Sequence, residues 1–313
     1  MIAAYSTTPI DRTIMKLSVI LTLDNVLVAS CYLAVALLLF AIGRLVYKLF
    51  QFRIRIGHEL VEKDNTAFAV AHTGYFTGLL IAISGAIVGP SYGLVDDLIL
   101  IFTYGLEAIL LLNFAIILND KLILSSFQVH KEIIEDRNVG TGVVEAASAI
   151  ATGLIVYGAV VGEGGGYLRG ALPAGLEGYV SMIIFWAGGQ LVLWLAARVY
   201  AWMVQYDLHA EIERDNVAAG IGFAGALIAI GNLVRAGIEG DFPSFLDGAE
   251  RLAEESGIGL LMLPLMRLIT DRILLPGRKL TDEIVHQEHP NVGAALIEAF
   301  AYIGASVLIG ISL

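Results

Sequence analysis

Cysteine is nearly absent from this chain: Cys31 is the single one in 313 residues. An internal disulfide and a metal site built from several cysteines of one chain are therefore excluded. Charge is scarce too, at 16% of residues against 57% hydrophobic, with a mean hydropathy of +0.77. A soluble domain of this length cannot bury so much apolar surface, so the composition is that of a membrane protein. The net charge of −11 is spread over all the polar segments, which leaves no basic patch for nucleic acid. Enzymatic patterns are missing as well. The stretch His58-Glu59-Leu60-Val61-Glu62 lacks the second histidine of a zinc helix, and the Gly-rich stretch 162–178 follows no strand. His286 and His289 stand three apart with no further histidine beside them, too few to hold a metal. No Ser/His/Asp or nucleotide-loop arrangement occurs. The expectation is a chain that is not an enzyme and carries no cofactor or metal.

What is present is long apolar runs, at 26–50, 66–90, 98–119, 139–161, 178–203, 217–238, 257–275 and 292–313. Each is long enough to cross a hydrocarbon core of about 30 Å at about 1.5 Å per residue. The runs lack the alternation of barrel strands, and lipid offers no partner for a free backbone group, so each must be a helix. The fold class expected is all-α, a polytopic membrane protein of eight transmembrane helices. Fourteen of the 19 Lys and Arg residues follow the first, third, fifth and seventh runs. The positive-inside rule places those connections in the cytosol and both termini outside.

Four of the cytosolic connections end in the same way. Asn65, Asn138, Asn216 and Asn291 each precede a small-residue apolar run, at steps of 73, 78 and 75 residues. That regularity reads as four parallel two-helix repeats about a pseudo-symmetry axis along the membrane normal. The domains are then a lead-in at 1–22, a first four-helix unit at 23–161 and a second at 162–313. Each Asn is a suitable N-cap, and each follows a glutamate by three residues, at Glu62, Glu135, Glu213 and Glu288. The runs that the Asn residues open are rich in Gly, Ala, Ser and Thr, which lets backbones approach closely. They are expected to form the interior, with the Leu-rich runs facing lipid. Acids near the openings of the other four runs (Asp24, Asp97, Glu177 and Asp247) suit the positive end of a helix dipole. Trp186, Trp194 and Trp202 are expected to anchor and pack the fifth run.

Seven residues after each Asn stand His72, Glu145, Phe223 and Glu298. Helical rise places this position roughly 10 Å from the cytosolic interface. Ionisable groups at such depth cost a few kcal/mol, about 2.5–3.5 for a central charge, and usually face a cavity or a partner. His72, Glu145 and Glu298 are therefore the candidate ion or proton site, provided the axis brings them together. Candidate charge partners lie in register at the ends of the preceding runs: Arg44, Asp120, Arg198 and Asp271. Pairing of Glu145 and Glu298 with Arg44 and Arg198 is the structural alternative, in which the charges serve only packing or assembly. Glu107, Asn113, Gln190 and Asn232 are secondary candidates for a polar path.

This pattern, an Asn-led Gly/Ala-rich helix after a Glu-bearing charged connection, resembles the membrane family called domain of unknown function 350, related to uncharacterised protein family 0719. The resemblance implies a short multi-helix inner-membrane protein with the domain in one or more copies, here two that span nearly the whole chain. It implies no activity and no catalytic residues. Phe223 departs from the polar pattern, which weakens any mechanism that needs four equivalent groups. The readings that follow are a cation- or proton-handling transporter or channel, and a non-catalytic scaffold or stress-associated partner protein. The partners expected are the lipid bilayer and either a second copy or a membrane or cytosolic protein.

Overall fold

Apolar runs that must satisfy their own backbone groups become helices, and seven of the eight form close to where their residues predict. The structure is a computed structural model and describes residues 23–52, 54–88, 91–124, 128–161, 166–275 and 277–312. The lead-in at 1–22 lies outside the described residues. Eight long helices run in order: α1 (Leu23–Phe50), α2 (Thr66–Ile87), α3 (Leu94–Leu122), α5 (Val139–Val160), α6 (Glu177–Met203), α8 (Val217–Ile238), α9 (Phe245–Ile269) and α11 (Val292–Ser312). Three short helices precede the later Asn residues: α4 (Val129–Ile134), α7 (Leu208–Glu213) and α10 (Leu280–Val285). A π-turn, His58–Glu62, takes their place before Asn65.

Among the described residues seven helices are long and apolar enough to cross a membrane. The eighth, α9, also forms, but it begins at Phe245, twelve residues before the run expected at 257–275, and ends at Ile269. Asp247, Glu250, Arg251, Glu254 and Glu255 fill its first turns, which makes it less apolar than the others.

Small residues set the packing. Helix α2 lies along α5, α5 along α8, and α8 along α11. The four form an open row with α2 and α11 at its ends, not a closed fourfold ring. Helices α1, α3, α6 and α9 cover one side of the row. Leu27, Leu33, Leu37, Leu45 and Leu49 of α1 are exposed. Trp186 is buried and Trp202 is exposed on α6. At the end of the bundle away from the Asn residues, Asp97 accepts hydrogen bonds from Tyr32 Oη (2.6 Å), Ser91 Oγ (2.5 Å) and the Tyr92 amide (2.8 Å). Glu177 accepts from the Gly175 amide, and Asp247 sits in a reciprocal pair with Ser244. Asp97 and Glu177 thus serve free N–H groups of the loop before their helix, whereas at Asp247 the cap is Ser244, whose Oγ takes the Asp247 amide.

The Asn end is tied together laterally. Each Asn accepts the backbone N–H three residues on, at Phe68, Thr141, Ala219 and Ala294. Its Nδ2 donates to a glutamate, though not to the one three residues before it. The partners are Glu59, Glu132, Glu211 and Glu283, whose backbone carbonyls also take the Asn N–H. The chain doubles back before the Asn, with Asp64, Arg137 and Asp215 at positive φ, so a residue five to eight places earlier faces it. Glu62 pairs instead with His58, and Glu135, Glu213 and Glu288 point to the surface. At Glu59, burial pushes the carboxyl up, but hydrogen bonds from Lys63 and Asn65 outweigh it and hold it below the usual range.

The same Nδ2 atoms reach further along the row. Asn65 donates to the Ile133 carbonyl (2.9 Å), Asn138 to that of Ile212 (2.7 Å) and Asn216 to that of Ile284 (2.9 Å). Each helix cap therefore holds the short segment that precedes the next one. Asn291 makes no such bond to a later segment among the described residues; it is exposed and borders an open cleft with Leu275, Arg278 and Gln287. We expect Asn138→Ala to cost about 1–2 kcal/mol for the lost cap, plus the lateral bond. Asn291→Ala should cost less. Thermal unfolding of both variants in lipid nanodiscs checks this, and equal losses would mean that the lateral bonds contribute nothing.

Candidate functional site

The position seven residues after each Asn is met by a side chain from the long helix before it. His72 on α2 lies against Tyr47 of α1, with ring centroids 5.1 Å apart. Glu145 on α5 meets Asp120 of α3, the two carboxyl groups within hydrogen-bonding reach. Phe223 on α8 stacks on Tyr200 of α6 at 5.3 Å. Glu298 on α11 pairs with Arg267 of α9, Nη1 to Oε1 at 2.6 Å. The four positions thus sit at four separate helix junctions. His72, Glu145 and Glu298 form no shared cluster, since among the described residues no three His, Cys, Asp or Glu side chains lie close enough to hold one ion.

The charge partners differ from those aligned in sequence, except at Asp120. Arg44 is exposed near His72. Arg198 is exposed with its guanidinium 5.6 Å from the Trp194 ring. Asp271 accepts the Leu280 amide at 2.7 Å and helps start α10. The residues that reach the junctions are Tyr47, Asp120, Tyr200 and Arg267, each within about a turn of the aligned position. Alignment by loops fixes depth in the membrane, but the phase of a helix turns by 100° per residue, so a slip of two or three residues points a side chain elsewhere.

The Glu298 junction is closed. Glu298 is fully buried, and its Oε1 accepts from Arg267, Tyr302 Oη (2.9 Å) and Tyr200 Oη (3.4 Å). Arg267 also donates to Thr281 Oγ1 at 3.1 Å. Gly222 makes the room, because a Cβ there would stand 2.5 Å from Glu298 Oε2. The guanidinium matches the charge inside the site, although the buried Glu298 Oε2 meets no donor.

The Glu145 junction is different. Glu145 is half-buried, and among the described residues neither it nor Asp120 has a Lys or Arg within ion-pair distance. Asp120 Oδ1 meets no donor. Two carboxylates in contact repel unless a proton or a cation lies between them. Next to the pair is a neutral polar cluster of buried residues from three helices. Asn119 Nδ2 donates to Ser148 Oγ (3.0 Å), Gln190 Oε1 (3.2 Å) and Thr152 Oγ1 (3.4 Å), and Gln190 Nε2 reaches Thr152 Oγ1 at 3.5 Å. Gln190 is the one secondary candidate that joins this cluster. Asn113 bonds Tyr75, and Asn232 bonds Ser306 and Arg235. Glu107 is half-buried on α3, with Oε2 unpartnered.

Sequence reasoning missed Arg267, Tyr200, Tyr302, Asn119, Ser148 and Thr152. Two signals were available: Tyr302 is one turn after Glu298, and Ser148 and Thr152 follow Glu145 at spacings of three and seven, all on one face. No curated protein and no solved structure matches the chain. The family model described as Domain of Unknown Function (DUF350) matches residues 20–160 and 174–313. Two copies of that domain cover nearly the whole sequence, and the chain belongs to this family of membrane domains.

Proposed function

We propose that this protein handles a cation or proton across a prokaryotic inner membrane, with the Asp120–Glu145 pair as the binding centre. The observation that carries the reading is the contact of two membrane-depth carboxyls with no basic side chain to neutralise them. The second domain copy has already matched its equivalent carboxylate with Arg267, so the copies divide the work: one holds the fold, and the other binds. In this reading α9 is an eighth crossing whose charged first turns stand at the outer interface. The eight helices are then four parallel two-helix repeats about an axis along the membrane normal, with the row left open. Both termini lie outside and the Asn-linked segments face the cytosol, in accord with the Lys and Arg distribution. No enzymatic step is invoked.

In proteoliposomes, Glu145→Gln and Asp120→Asn are expected to abolish most of the ion or proton flux that the wild type supports. Flux of every tested ion at the wild-type level in both variants would remove the site. A second reading, a non-catalytic scaffold or stress-associated partner protein, is favoured by the exposed acids Glu62, Glu135, Glu213 and Glu288 along the Asn end. Reversing those four charges should release a bound protein if that reading holds, and should leave flux unchanged if the first does.

A further inference from the structure

We propose that the polar cluster between α3, α5 and α6 binds a dehydrated monovalent alkali cation next to the Asp120–Glu145 pair. This inference rests on the functional reading above and names its ion class.

Helix packing does not require these polar residues. On α5, Thr141, Glu145, Ser148 and Thr152 lie at spacings of four, three and four, and so form one stripe. Counted from Asn65, the same stripe on α2 reads Phe68, His72, Tyr75 and Leu79. On α8 it reads Ala219, Phe223, Ala226 and Ile230, and on α11 Ala294, Glu298, Ala301 and Ala305. Helices α8 and α11 in the same row pack with Ala or Ile where α5 places hydroxyls, and the one hydroxyl of α2, on Tyr75, is taken up by Gly43 and Asn113. Only α5 faces Asn119 and Asp120 on one side and Gln190 on the other.

The cluster and the stripe that leads to it each carry an oxygen with nothing to accept. Asn119 is 3% exposed and its side chain points into the cluster through Nδ2, yet its Oδ1 has no partner. Thr141 Oγ1 is fully buried on the same stripe and is equally unpartnered. A buried acceptor without a donor costs free energy. A half-turn of the Asn119 amide exchanges Nδ2 for Oδ1, and the three oxygens now served by the NH2 group would then surround a cation together with it. Ser148 Oγ, Thr152 Oγ1, Gln190 Oε1 and Asn119 Oδ1 supply neutral ligands, and the carboxyl pair supplies the charge. Hard cations take oxygen ligands of this kind, whereas a magnesium ion dehydrates reluctantly and keeps several of its waters.

The test uses the full chain in nanodiscs, with thermal unfolding in sodium, potassium or choline chloride at equal ionic strength and with retention of radioactive sodium as a second readout. Sodium or potassium should raise the wild-type melting temperature by a few degrees over choline, since a ligand that binds only the folded state stabilises it. Glu145→Gln should lose that rise. So should the double variant Ser148→Ala, Thr152→Val, which carries residues of the size that the other inner helices tolerate. Equal melting in all three salts with no sodium retained would overturn the inference. So would a rise that survives in the double variant. If alkali ions have no effect while Glu145→Gln still abolishes proton flux, this inference falls and the functional reading stands. If alkali ions stabilise the wild type while flux is unaffected by either carboxylate variant, the site stands and the transport reading falls.

Discussion

Replacing Arg267 with Leu is expected to destabilise the reconstituted protein by about 3–5 kcal/mol, the cost of leaving one member of a buried pair alone. Glu298 is fully buried beneath Gly222, and Arg267 holds it at 2.6 Å. Without the guanidinium, only the hydroxyls of Tyr302 and Tyr200 remain on that carboxyl. Glu298→Leu should cost more than Arg267→Leu, because a lone glutamate has a neutral form and a lone arginine has none. The double variant Arg267→Leu, Glu298→Leu should recover most of the loss, since a well-packed apolar pair is often as stable as the ion pair it replaces. Unfolding curves for the four proteins close a double-mutant cycle. Simple additivity would show that the two residues do not depend on each other, and the contrast with the Glu145 junction would lose its basis.

That contrast shows which parts of the molecule are legible in the sequence. Helix starts are, because an N-cap acts on its own first turn: Asn65, Asn138, Asn216 and Asn291 each cap the helix that spacing assigns to them. Depth is legible too, since a count of seven residues along a helix needs nothing from its neighbours. Contacts between helices are not. Arg198 and Arg267 are equally plausible partners for Glu298 by depth, and only the phase of α9 against α11 decides for Arg267. The glutamates that serve the Asn caps were hidden for a related reason. Glu59 and Glu132 are reached only because Asp64 and Arg137 take left-handed backbone conformations, which an Asp favours only weakly and an Arg does not announce. Topology of the row is a third case. Four similar helices can close into a ring or stand in line, and the residues at the free faces of α2 and α11 choose between them by their bulk. Phe300 and Ile311 stand exposed on α11 where α5, counted from its own Asn, has Ala147 and Gly158.

Close backbone approach within the row leads to the second large effect. A side chain at Gly153 of α5 would run into the backbone of Gly78 on α2, and one at Gly78 into that of Ala149. Neither obstacle is the flexible end of a side chain, so the helices themselves must part. In lipid, separation brings no compensating burial, because hydrocarbon tails replace the lost contacts only in part and van der Waals packing is what holds helices together. Gly153→Leu is therefore expected to cost about 3 kcal/mol or more, at the upper end of overpacking. It should also loosen the Asn65 to Ile133 bond, since both lie on the α2 side of the row. Gly304 on α11 is the control. A Cβ there meets only Phe300, at 3.9 Å, so Gly304→Ala should be neutral or stabilise the protein by up to about 1 kcal/mol through helix propensity. Unfolding of both variants in nanodiscs gives the comparison. A Gly153→Leu protein as stable as Gly304→Ala would mean that α2 and α5 do not touch backbone to backbone, and the small-residue row would no longer account for the fold.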